Sequence, residues 1–359
     1  MAKGIGRGGE LFKRLCDAAH LIRSAKEAAR GKKRRPDVAG FLLELEGECF
    51  RLADELARGT WQPGSYRTFI IREPKPRLIS AAPFRDRVVH HAIVALLEPY
   101  FEKRFVAHSY ACRVGKGTHR ALDRATMLAR RRKFVLKGDI AKFFPSIDHE
   151  ILKVEVRRVI ADERLLGVLD RVIDGSNPQE SVIVWYDGDD LTTPAVRRRG
   201  IPIGNLTSQF LANAFLDRFD HFVMDRQGYG EYVRYCDDFL VFGDSRPELW
   251  ALRGRIEAFL RTMRLTLHPD KGGVHSTRSS FPFLGFVIKG GARRLQRAGV
   301  VRATRRLRAS QTELALGQIT REAMQARVAA WIGHASHARG RGVGVVASVL
   351  QRAGARLLV

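Results

Sequence analysis

Two adjacent aspartates, Asp237 and Asp238, stand between the apolar runs Tyr232-Val233-Arg234-Tyr235 and Phe239-Leu240-Val241-Phe242. Side by side, two carboxylates raise each other's cost of ionisation unless cations lie close. A divalent metal removes that cost. A third acid, Asp139, sits near the end of Phe134-Val135-Leu136-Lys137-Gly138-Asp139-Ile140, the layout of a buried strand that delivers a carboxylate at its tip. Three such acids suit two Mg²⁺ ions a few ångström apart, the arrangement used for in-line phosphoryl transfer. Taken alone, Asp237-Asp238 also fits an ordinary turn in a surface hairpin.

The elements around these acids must place them. Tyr232 to Tyr235 and Phe239 to Phe242 read as strands joined tightly through Cys236-Asp237-Asp238, a hairpin with two carboxylates at its tip. Upstream, Ser65 to Arg72 and Arg77 to Ser80 flank the turn Pro74-Lys75-Pro76 as a basic hairpin. Helical spacing recurs around Leu11 to Ala29, from Pro36 to Gly59, from Arg85 to Phe101, after His149, and around Pro247 to Met263. Gly200-Ile201-Pro202-Ile203-Gly204 breaks the chain, and Asn205 or Thr207 can cap a helix whose Phe210, Leu211, Ala214, Phe215 and Phe219 share an apolar face. The stretch around Asp187 to Asp190 is an expected exposed loop or hairpin. Phe281 to Ile288 reads as one further strand, followed from Ala292 by a basic helical region.

Lys and Arg total 63 against 38 Asp and Glu, a formal charge of +25 over 359 residues. A polyanionic partner is implied. There is no run of 18 or more apolar residues and no secretory pattern from Met1 to Arg35, so a cytoplasmic location and no membrane span are expected. The 4 cysteines include no Cys-x-x-Cys pair, which argues against a disulfide framework or zinc knuckle, and His268 and His275 read as turn and surface histidines.

The joint pattern resembles the reverse transcriptase family over roughly Tyr66 to Ile288. Tyr235-Cys236-Asp237-Asp238 matches its Tyr-x-Asp-Asp tip, and Asp139-Ile140-Ala141-Lys142-Phe143-Phe144 its Asp-x-x-x-x-Phe/Tyr segment. The resemblance implies an α/β right-hand polymerase fold, with fingers, an antiparallel palm sheet and a C-terminal helical thumb. The expected division is a basic N-terminal extension (1–35), fingers and palm (36–291) and thumb (292–359), without an RNase H domain. It further implies catalytic Asp139, Asp237 and Asp238, and a metal set of Asp139, Ile140, Asp237 and Asp238 for two Mg²⁺ ions that Mn²⁺ can replace. Lys75 and Arg77 would grip the incoming triphosphate, Phe144 would exclude a 2′-hydroxyl, and Phe283-Leu284-Gly285 would support the primer end.

Within the family, Ile203-Gly204-Asn205-Leu206-Thr207-Ser208-Gln209 departs from the Gln-Gly-x-x-x-Ser-Pro usual in group II intron enzymes. It resembles the reverse transcriptases of diversity-generating retroelements, as do Ser109 to His119 and Trp331-Ile332-Gly333-His334-Ala335-Ser336-His337-Ala338. Ile203 and Gln209 are therefore expected beside the nucleotide. That resemblance implies cDNA synthesis with errors at template adenines, from an RNA template and a DNA or RNA primer with deoxynucleoside triphosphates, assisted by a small basic helical accessory protein oligomer. Two other readings stand beside it: an intron, retron or phage-defence reverse transcriptase, and a catalytically silent RNA-binding protein of polymerase shape.

Overall fold

The protein is described by a computed structural model covering residues 5–72, 76–176, 184–338 and 347–351. Its chain divides into two compact units, Met1–Cys112 with Asp139–Gly228 and Arg255–Pro269, and Arg113–Gly138 with Tyr229–Gly254 and Asp270–Val359.

The first unit opens with α1 (Glu10–Leu15), α2 (Ala18–Ala28), α3 (Pro36–Leu43) and α4 (Leu45–Arg58). The helix expected over Leu11 to Ala29 breaks in two because Asp17 caps α2, its carboxylate accepting from the Ala19 and His20 N–H groups. The segment read as a basic extension buries Leu11, Leu15, Leu21 and Ala25, and α2 packs against α4. The basic hairpin follows as β1 (Arg67–Ile71) and β2 (Arg77–Ala81), paired from Arg67↔Ala81 to Ile71↔Arg77, and then α5 (Phe84–Glu102).

Two elements of the second unit come next, α6 (Thr118–Arg131) and β3 (Phe134–Asp139), the division falling at the end of β3. The first unit resumes with α7 (Phe143–Ser146), α8 (His149–Arg157), α9 (Glu163–Asp174), α10 (Thr193–Val196) and α11 (Leu206–His221), which runs into a π-helical turn at Phe222–Arg226. The expected acidic loop is a turn in which Asp190 accepts from the Thr192 and Thr193 N–H groups. α5 and α11 pack on each other at the centre, with the Phe101 and Phe210 rings edge to face at 5.1 Å. α11 is buried on nearly all sides, not on one face, because α5 and α8 both cover it.

The second unit holds a four-stranded sheet in the order β4-β5-β3-β6, with β4 (Tyr232–Tyr235), β5 (Asp238–Gly243) and β6 (Gly273–Ser276); α12 (Arg246–Thr262) lies between β5 and β6. β4 pairs antiparallel with β5, and β3 antiparallel with β6. α6 packs on β4 and β5 through an apolar stripe that includes Ala121, Leu122, Ala125 and Leu128.

A three-stranded sheet of β7 (Phe281–Phe283), β8 (Phe286–Lys289) and β9 (Ala292–Leu295) precedes α13 (Arg297–Ala315) and α14 (Arg321–Ala335). The run expected as one strand from Phe281 folds into a hairpin. Leu284 and Gly285 both take positive φ, 47° and 83°, the geometry of a tight two-residue turn that pairs Phe283 with Phe286. The helical region starts at Arg297 because Ala292–Leu295 pairs with β8. Leu307, Met324 and Val328 form the core between α13 and α14.

Candidate active site

The two adjacent acids lie where β4 turns into β5. Tyr235 pairs with Asp238, leaving Cys236 and Asp237 as a two-residue turn. Cys236 takes φ 57°, a left-handed conformation that costs a non-glycine residue about 1–2 kcal/mol. The turn is held from inside: Arg234 is 1% exposed, and its Nη1 donates to the Cys236 carbonyl at 3.1 Å. Asp237 and Asp238 are half-buried. Lys137 on β3 connects this tip to the hairpin of β7 and β8, its Nζ donating to the Pro282 carbonyl at 3.0 Å and lying 4.0 Å from Asp238 Oδ1. The Thr118 hydroxyl, at the start of α6, donates to the Tyr235 hydroxyl at 3.1 Å.

Asp139 ends β3 and is half-buried. Its carbonyl accepts from the His268 N–H at 2.7 Å, buried Ile140 bridges to Leu267, and Ala141 N–H donates to the Thr266 carbonyl at 2.9 Å. This short ladder holds the acid's backbone on the first unit. Ile140 has a hydrocarbon side chain, so its carbonyl is the only oxygen it can offer a metal. Lys142, at φ 45°, then turns the chain into α7.

The residues expected near the sugar are joined through the main chain. Phe144 is half-buried, and its carbonyl accepts from the Ile201 N–H at 3.0 Å. Ile203 accepts from the Ser80 N–H of β2 at 3.0 Å. The Asn205 side chain does not cap α11. Instead its amide donates to the Ser80 carbonyl at 3.1 Å and its oxygen accepts from the Ala82 N–H at 3.3 Å, binding the start of α11 to the basic hairpin. Gly204 at φ 122° permits that approach, since a Cβ there would meet Ile79 Cγ2 at 2.9 Å. Gln209 is exposed on the first turns of α11, and Arg77 is exposed at the start of β2. Lys75 lies outside the described residues.

The expected primer-support residues occupy the β7–β8 turn, with Phe283 buried and Gly285 exposed, and the Gly285 carbonyl accepts from the Gln296 N–H at 3.0 Å. Lys137 and Arg234 are absent from the site residues expected from sequence, and Thr118 was read only as part of the Ser109 to His119 stretch. Lys137 interrupts the apolar run of β3 and Arg234 that of β4, which was the available signal.

Among the described residues no group of three or more His, Cys, Asp and Glu side chains is gathered as a metal centre. The chemistry of the acids nevertheless fits Mg²⁺, which takes hard oxygen donors with room for water, and the half-buried Asp237 and Asp238 offer adjacent carboxylates of that kind.

Residues 71–288 match the family described as reverse transcriptase (RNA-dependent DNA polymerase). The chain belongs to that family and is an RNA-directed DNA polymerase; such a domain implies a right-hand polymerase fold acting on an RNA template, a primer and nucleotides. Similar proteins include Protein YkfC of Escherichia coli K12, 25% identical over 316 residues, or 76% of this chain and 79% of YkfC. The group II intron-encoded protein LtrA of Lactococcus lactis subsp. cremoris is 24% identical over 182 residues, 50% of this chain and 28% of LtrA. Nuclear intron maturase 1, mitochondrial, of Arabidopsis thaliana is 29% identical over 87 residues, 24% of this chain and 12% of that protein. The chain thus spans most of YkfC but less than a third of either intron protein. Among the described residues no helix is long and apolar enough to cross a membrane.

Proposed function

We propose that Asp139, Asp237 and Asp238, with the Ile140 carbonyl, hold two Mg²⁺ ions for nucleotidyl transfer, Mn²⁺ serving as a substitute. The observation that carries this reading is the two-residue turn at Cys236-Asp237, which displays adjacent carboxylates at the tip of a buried hairpin. When bound, the ions supply charge neutralisation on the triphosphate and activation of the primer 3′-hydroxyl. The chain's own residues do the positioning. Arg77, with Lys75, meets the triphosphate; Phe144 lies under the sugar; Phe283-Leu284-Gly285 carries the primer end; and α13 with α14 serves as the thumb. Extension of a DNA primer on an RNA template tests this. The Asp237→Asn variant keeps shape and loses charge, so near wild-type extension by that variant would remove the metal assignment.

The finer reading is a diversity-generating reverse transcriptase that makes errors at template adenines and works with a small basic helical accessory protein. It is supported by Ile203 and Gln209, which stand where faithful relatives carry Gln and Pro. Ile203 offers apolar contact only, so a hydrogen bond near the nucleotide's sugar is absent. The similarity to LtrA and to an intron maturase supports a second reading, an intron-type enzyme. Sequencing cDNA copied from one defined RNA separates them: errors concentrated at adenine support the first, and an even, low error spectrum supports the second.

A further inference from the structure

A cavity of about 720 Å³ in the second unit is lined chiefly by Lys116, Thr118, His119, His334, Ser336 and His337. His119 lies in the first turn of α6, His334 in the last turn of α14, and His337 just beyond it. The His119 and His337 rings stack with centroids 3.3 Å apart and planes 18° apart, and the His334 ring lies 6.4 Å from that of His119. All three are half-buried, so they open onto the cavity instead of filling a core.

The cluster is built. Buried Arg293 of β9 donates through Nη1 to Asp123 Oδ1 on α6 at 2.7 Å and through Nε to the His337 carbonyl, which fixes the end of α14 against α6. The charged groups facing the imidazoles are Lys116 before α6, Asp123 on α6 and Arg293 on β9. His334 also borders the groove between α13 and α14 that Arg302, Arg306, Glu313 and Arg327 line. Burial first, then His337, His334 and Arg293, hold His119 below the ordinary imidazole range, with Asp123 opposing; burial and then His337 do the same for His334.

Two residues of this cavity touch the hairpins assigned above to the acids and to the primer end. Thr118 is hydrogen-bonded to Tyr235 of the carboxylate hairpin. The His334 ring lies 4.9 Å from that of Phe286, and its Nε2 would be 3.8 Å from a Cβ placed on Gly285. A strand whose 3′ end rested on the Leu284-Gly285 turn would meet His334 there, with His119 and His337 next to it.

We propose that Lys116, His119, His334 and His337 bind a backbone phosphate of the primer strand and couple its grip on that strand to proton uptake. The site rests on the polymerase reading above. A phosphate facing the imidazoles favours their protonated form, so His119 and His334 titrate higher in the complex than in the unbound protein. Between those two values, affinity for the strand rises as pH falls, by up to tenfold per pH unit for each proton taken up. A nucleotide's triphosphate offers the same chemistry, and the test separates the two.

The test measures fluorescence anisotropy of a labelled DNA primer annealed to RNA, without nucleotide, at constant ionic strength. The wild type is expected to bind about tenfold more tightly near pH 6 than near pH 8. A His119→Gln/His337→Gln variant, checked for an unchanged melting temperature, is expected to reduce that ratio to about twofold or less, and Lys116→Ala to weaken binding at both pH values. His334→Gln alone provides the same reading should the double variant melt early. A wild type that extends primers while the histidine variants keep the full pH dependence would overturn the site and leave the polymerase reading standing. A raised KM for nucleotide with unchanged duplex affinity would assign the cavity to the triphosphate and overturn the strand site. Failure of the wild type both to bind and to extend a primed template would overturn both readings.

Discussion

The ring of Phe239 occupies the space that a side chain at Gly138 would need: a Cβ there would overlap the ring, with Cε2 2.7 Å away. Phe239 follows Asp238 and Gly138 precedes Asp139, so this contact sets β5 against β3 at the step next to the acids. Gly138→Ala is expected to push the ring aside, costing about 1–3 kcal/mol of stability through overpacking. Denaturant unfolding reads the loss, and a Gly138→Ala/Phe239→Leu double variant should recover part of it. A single variant as stable and active as the wild type would show that the two strands have room to separate.

Arg234→Leu removes the buried guanidinium that donates to the Cys236 carbonyl. Leaving that carbonyl without its donor costs about 1–3 kcal/mol and releases the turn that carries Asp237. Both the unfolding midpoint and the turnover number should fall, while KM for nucleotide changes little. A loss confined to KM would place the guanidinium's effect at the nucleotide instead.

Phe144→Ala removes the ring proposed to lie beneath the sugar. Incorporation of rGTP relative to dGTP, measured on one template, is expected to rise by about tenfold or more, corresponding to about 1.4 kcal/mol or more of discrimination. Unchanged selectivity would make Phe144 a packing residue only.

Ile203→Gln introduces a hydrogen-bonding side chain in the segment bound to Ser80 of β2. Misincorporation opposite template adenine should fall by about tenfold for each 1.4 kcal/mol of discrimination regained, and by more than opposite the other bases. Gln209→Pro, on the exposed first turns of α11, should shift the spectrum through the helix start. Equal adenine error rates in wild type and Ile203→Gln would exclude a part for this segment in the proposed adenine errors.

Burial, then His91 and Arg87, push the His90 imidazole down to about 4. Its value in the unfolded chain is near the ordinary 6.5, so below that pH the unfolded chain binds a proton that the folded chain does not. Its contribution is present above pH 6.5 and is lost as pH falls to about 4, a total of about 3 kcal/mol. His90→Leu cannot titrate, so its unfolding free energy should fall less steeply over that window. Parallel curves for the two proteins would show that His90 is not the titrating group.

The hairpin at Tyr235 to Asp238, the strand ending in Asp139 and the basic hairpin of β1 and β2 were legible because each depends on short-range pattern: alternating or continuous apolar runs bounded by turn residues. α6 was not read, although its stripe of Ala121, Leu122, Ala125 and Leu128 repeats at helical spacing, because its many Arg residues mask the apolar signal. The β7–β8 turn was hidden for a different reason. Leu284 in a left-handed conformation is atypical, and the pairing of Phe283 with Phe286 holds it.

The sequence by itself determined the acids, their order along the chain, the strands that bear them and a charge suited to nucleic acid, because side-chain chemistry and local periodicity reside in neighbouring residues. Tertiary structure alone decided that Lys137 bonds Pro282, 145 positions away from it, beside Asp238, that Asn205 serves β2 in place of capping α11, and that His119 stacks on His337. Each of those contacts satisfies a polar group or packs a ring with a partner far away along the chain. Such partners leave no trace in local spacing.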